Sequence, residues 1–119
     1  MSGQGMQTVS LSLKSWILQL PEVVEAPHRF GGTQFQVNGS EFIHFHGDTF
    51  LDIRLSKEDQ ATVLKQGIAI SHRFAPQAGW VSFQIENAED IERAKNVIQM
   101  AYANARSRVV RKDRLSKLS

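Results

Sequence analysis

Apolar and polar residues alternate through the middle of the chain and fall into helical spacing at both ends. In an extended strand successive side chains point to opposite faces, so alternation marks a half-buried strand. Residues 33–37 put Phe35 and Val37 on one face and Gln34 and Gln36 on the other. Residues 41–46 put Ile43 and Phe45 on the core face, with Phe42, His44 and His46 opposite. Residues 50–55 oppose Leu51, Ile53 and Leu55 to Phe50, Asp52 and Arg54. Residues 80–85 oppose Val81, Phe83 and Ile85 to Trp80, Ser82 and Gln84. Residues 68–74 make the remaining strand, with His72 by parity on the apolar face of Ile68, Ile70 and Phe74. Asn38-Gly39 is a strong hairpin signal between the first two strands, and Gly47-Asp48 turns the chain again.

Helical spacing begins at residues 8–20, where Leu13, Trp16, Ile17 and Leu20 recur three and four apart until Pro21. Val23 and Val24 continue that apolar face. APHRFGG, residues 26–32, reads as a loop, since Pro27 biases Ala26 to extended backbone and Gly31-Gly32 permits unusual geometry. Ser56 with Asp59 three residues on opens a second helix that Gly67 closes. Asn87 caps a last helix with Ile91, Ala94, Ile98, Ala101 and Ala105 in one stripe, and Val97 and Tyr102 beside it. The pattern predicts an α+β fold: about five strands in a mostly antiparallel sheet, with N-terminal and C-terminal helices on one face. The expected organisation is a disordered N-terminus over residues 1–7, one domain over 8–105 and a basic tail over 106–119.

Composition narrows the chemistry. The 119 residues include no cysteine, which excludes disulfides, thiolate metal sites and a thiol nucleophile. That absence fits a reducing compartment and a secretory leader is not expected, so the cytoplasm is the expected location. No stretch approaches the roughly 18 consecutive apolar residues of a membrane span, so no membrane role is expected. The net charge of +2 is unevenly spread: residues 106–119 hold six bases and one acid, leaving residues 1–105 at −3. The basic pI therefore reports the tail rather than the domain surface.

The runs APHRFGGTQF, EFIHFHGD, LDI and GWVSFQI, the last followed by a helix carrying Tyr102, resemble the luciferase-domain family of small bacterial and fungal domains. The resemblance spans residues 27–102. It implies that PHRFGG and HxHGD belong to one site, and it carries no catalytic assignment or settled reaction. The order of elements is also similar to YjbR-type double-wing domains, suspected nucleic-acid binders, by analogy of topology alone.

The polar face is the candidate site. His44, His46, Asp52, Arg54 and Trp80 would line it, with His28 and Arg29 at the rim, a mixture suited to a small polar or anionic ligand. Each has a plain structural alternative: Asp52 and Arg54 as cross-strand charge partners, Trp80 as packing, the PHRFGG loop as a tight turn. No cofactor is expected, unless His44 and His46 with Asp48 hold a divalent metal, Asp52, His28 or His72 being further candidates. A metal-dependent enzyme would use that set. Nucleic acid could instead meet Arg29, Arg54, Arg106, Arg108, Arg111, Lys112 and Arg114 through phosphates. A protein partner or a homodimer could use the sheet face through Trp80 and Phe42. No G-x-S-x-G elbow, P-loop or dinucleotide fingerprint is present.

Overall fold

The computed structural model describes the backbone of residues 2–27, 31–71 and 76–118, and the side chains of residues 10–27, 31–71 and 77–108. The elements run α1 (Ser2–Leu18), β1 (Val23–Pro27), β2 (Thr33–Val37), β3 (Ser40–His46), β4 (Phe50–Arg54), α2 (Lys57–Lys65), β5 (Ile70–Ser71), β6 (Trp80–Gln84) and α3 (Ala88–Leu118). One six-stranded sheet has the order β1-β2-β3-β4-β6-β5. Every neighbouring pair is antiparallel. The α+β class is as expected, with one more strand.

The added strand is β1. α1 ends at Leu18, and Glu22, with a left-handed φ of 68°, turns the chain so that Val23 pairs with Val37. Two adjacent valines are too short a pattern to separate strand from helix. β5 begins at Ile70 rather than at residue 68, and the rest of the expected strand, with the parity placement of His72, lies outside the described residues. α1 begins at Ser2, so residues 2–7, expected to be disordered, are helical. α3 runs to Leu118, so the basic stretch continues the last helix. Once tertiary packing has nucleated a helix, each further turn of Arg, Lys and Leu extends it at little cost.

α1 and α3 touch each other and cover one face of the sheet. Leu13 and Ile17 from α1 and Ala94, Ile98, Ala101 and Ala105 from α3 bury against Phe35, Ile43, Phe45, Leu51, Ile53, Val81 and Phe83. α2 adds Val63 to this core.

The alternation fails at one residue. Phe35 pairs with Ile43, but Gln36 pairs with Glu41, so Phe42 is the extra residue of a bulge in β3. A bulge puts two consecutive side chains on the same side. Phe42 accordingly turns into the core, 0% exposed, with its ring centroid 5.9 Å from that of Tyr102 on α3. It does not share a face with His44 and His46, and it offers nothing to a dimer on the outer face.

The turn and cap signals act as their chemistry requires. Asn38 and Gly39 carry φ values of 49° and 84°, the left-handed pair of a tight hairpin. The Ser56 hydroxyl accepts from Asp59 N at 3.0 Å, and Gly67 takes a φ of 71° beyond α2. Asn87 Oδ1 accepts from Asp90 N at 3.0 Å, while Asp90 Oδ2 accepts from Glu86 N at 2.8 Å. The Glu86 N–H holds the Asp90 carboxyl below its ordinary range, against a smaller opposing effect of desolvation. Asp90→Ala is expected to cost about 1 kcal/mol in denaturant melts. Because the folded pKa is the lower one, that contribution is complete above the ordinary carboxylate range and is lost as pH falls through the lowered pKa. The gap between wild type and Asp90→Ala should therefore close in acid. No helix among the described residues is long and apolar enough to cross a membrane.

Candidate functional site

After the bulge at Phe42, β3 resumes ordinary alternation, and His44 and His46 face away from the helices. The register aligns Gln34, His44, Asp52 and Ser82 across four adjacent strands. His46 lies opposite Phe50, which pairs with Gln84. Arg54 pairs with Trp80 on the other side of the central row. In a strand, i and i+2 share a face, so these three rows form one surface.

The central row is held from several directions. His44 is buried, with Nε2 3.0 Å from the Gly31 carbonyl oxygen. A carbonyl only accepts, so this contact puts the proton on Nε2. Gly32 follows with a φ of 80°, so close to β3 that a Cβ there would lie 2.2 Å from the Phe45 oxygen. Asp52 is also buried. Its Oδ1 accepts from Ser82 Oγ at 2.8 Å and its Oδ2 from His46 Nε2 at 2.5 Å. His46 is the exposed member, its side chain 45% accessible. The two imidazole centroids are 4.0 Å apart, the rings inclined at 47°.

This arrangement limits the chemistry. Ser82 Oγ donates to Asp52 Oδ1, so its proton is committed to holding that carboxylate. Asp52 in turn orients His46, which keeps a second ring nitrogen for hydrogen bonding or proton exchange. The ligating atoms of His44, His46 and Asp52 all lie within 4.8 Å of one another.

A model of the Luciferase domain family matches residues 39–101. The chain belongs to that family. No curated protein and no solved structure matches it. The Luciferase domain match takes in His44, His46, Asp52 and Ser82, while the PHRFGG run precedes it.

Within the Luciferase domain fold, the residues expected at the site are distributed unevenly. His44, His46 and Asp52 meet directly. Arg54 and Trp80 lie one row away, and Arg54 Nε donates to the Ala78 carbonyl at 3.0 Å. Asp48 is exposed in the turn past the end of β3 and stands apart from His44 and His46, whereas buried Asp52 has a carboxylate oxygen close to both. His28 and Arg29 lie outside the described residues. Ser82 was legible as a member of this face by parity, but its bond to Asp52 depends on β6 pairing with β4.

The basic residues are split between layers. Arg54 is on the outer sheet face, whereas Arg106 and Arg108 belong to α3 behind the sheet. Arg106 Nη1 donates to Tyr102 Oη at 2.8 Å, and Tyr102 Oη donates to the Pro21 carbonyl at 2.7 Å. Arg108 Nη2 donates to Ser40 Oγ at 2.9 Å. The side chains of Arg111, Lys112 and Arg114 lie outside the described residues.

Proposed function

We propose that this Luciferase domain protein binds a small polar or anionic molecule on its outer sheet face, with His46 as the first group the molecule meets. The observation that carries this reading is the pairing of half-exposed His46 with buried Asp52. A solvent-facing imidazole oriented from behind by a carboxylate is organised for hydrogen bonding rather than for packing. Arg54 and Trp80 on the adjacent row add a guanidinium and an aromatic surface, which suit a ligand with a charged group and a flat or apolar part. The absence of cysteine supports placing this activity in the cytoplasm. The division of Arg54 from Arg106 and Arg108 supports a small ligand over a nucleic-acid strand, which needs a continuous basic surface.

The test is a panel of small carboxylates, phosphates and hydroxylated aromatics, followed by NMR of the His44, His46 and Trp80 side chains. Saturable shifts at these three groups are expected, and His46→Ala should weaken binding at least about tenfold, the loss of one charge-assisted contact. No response across the panel, or equal affinity in folded His46→Ala, would sink the reading.

A further inference from the structure

We propose that His44, His46 and Asp52 form a binding site for a divalent first-row transition ion, with a coordination position open to solvent beside His46. This inference goes beyond the ligand reading and does not require it.

The donor set comes first. Two imidazoles and one carboxylate favour zinc or ferrous iron over calcium or magnesium, which take oxygen ligands. Ligand bonds to such an ion are about 2.0–2.2 Å, so donors around it stand roughly 3–3.5 Å apart. The three ligating atoms already lie within 4.8 Å of one another, so small side-chain rotations bring them around one ion.

The surrounding bonds are those that metal ligands need. A ligating imidazole commonly donates its other N–H to a carbonyl or carboxylate, and a ligating carboxylate is itself hydrogen-bonded. His44 Nε2 meets the Gly31 carbonyl, which leaves the lone pair of that tautomer on Nδ1. Asp52 Oδ1 is held by Ser82, while Oδ2 and His46 Nε2 converge at 2.5 Å. An ion entering there displaces the proton between these two atoms, and the proton leaves to solvent.

Burial adds an independent reason. His44 and Asp52 are buried, whereas His46 is half exposed. A buried carboxylate beside two imidazoles is a strong anchor for a divalent cation, which takes the place of the His46 proton while the Ser82 bond to Oδ1 is kept. Three protein ligands with one exposed edge describe a site that exchanges a fourth ligand, unlike a closed structural site.

The test uses the untagged full chain, stripped with a chelator and titrated calorimetrically with Zn2+, then with Co2+ for its visible absorption. A single saturable equivalent is expected, with a Co2+ spectrum showing nitrogen and oxygen ligation. Asp52→Asn and His44→Ala should each weaken Zn2+ binding by at least about 100-fold, and Ser82→Ala by about 10–100-fold, the usual effect of losing a ligand's supporting bond. Asp52→Asn and Ser82→Ala are close to isosteric, and circular dichroism establishes that each is folded. Folded wild type that takes up no Zn2+ or Co2+, or uptake unchanged in folded Asp52→Asn, overturns the proposal. Zn2+ bound by wild type and lost in the variants supports the site even where no small anion binds. Stripped protein that binds small anions but no metal overturns it and leaves the ligand reading standing.

Discussion

Phe42→Ala is expected to remove about 3–5 kcal/mol of stability, a large part of what a domain of this size has. The ring is fully buried between the sheet and α3, against Tyr102. Its removal exposes no polar group, so the cost is the lost transfer free energy plus the cavity left under a long helix. Phe50→Ala is the matched control. Phe50 lies on the outer face, half-buried, with its ring 5.8 Å from that of His46. Its removal should cost less than about 1.5 kcal/mol, because water already reaches the site. Urea denaturation of the two variants measures the difference. Equal, small losses would put Phe42 on the outer face, as simple alternation predicts, and would contradict the bulge in β3.

Gly32→Ala should cost at least about 2 kcal/mol, from the left-handed backbone and from steric collision together. A Cβ at this position meets the Phe45 carbonyl oxygen at 2.2 Å and His44 Nε2 at 3.3 Å. The backbone oxygen cannot rotate aside, so the loop must lift from β3. The Gly31 carbonyl would then leave His44, and the ring would lose the contact that sets its tautomer. Gly31→Ala separates the two causes. Gly31 has a φ of 99°, but a Cβ there meets nothing within 4 Å. Only the backbone penalty of about 1–2 kcal/mol remains. Thermal melts of both variants, with NMR of the His44 ring, should show a larger loss and a displaced His44 resonance for Gly32→Ala alone. Identical behaviour of the two would mean that the glycine loop is not seated on His44.

Parity made much of this site legible. His44, His46, Asp52, Arg54, Trp80 and Ser82 are all on the face that alternation assigns them, because each lies in a strand whose register is pinned by buried neighbours. Asp48 reads as a ligand because it follows His46 closely in sequence, yet the turn carries it into solvent past the strand end. Asp52 is further along the chain but directly opposite His44. Distance along the chain misleads wherever a hairpin reverses direction. Gly31 and Gly32 were plain in the sequence, but their seat against Phe45 and His44 is a contact between separate segments.

By itself the sequence determined what short-range physics controls. Side-chain alternation assigned the faces of β2, β4 and β6. The left-handed preference of Asn38-Gly39 made the hairpin, and Ser56 and Asn87 capped their helices through bonds spanning three residues. Tertiary structure decided the rest. Packing of Phe42 beneath α3 selected the bulge that alternation could not show. Pairing along β2 made Val23–Pro27 a strand, including Ala26 and Pro27 of the expected loop. Placement of β6 beside β4 brought Ser82 to Asp52 across 30 residues of chain. Backbone preferences act over a few residues, whereas these pairings depend on which surfaces the whole chain can bury together.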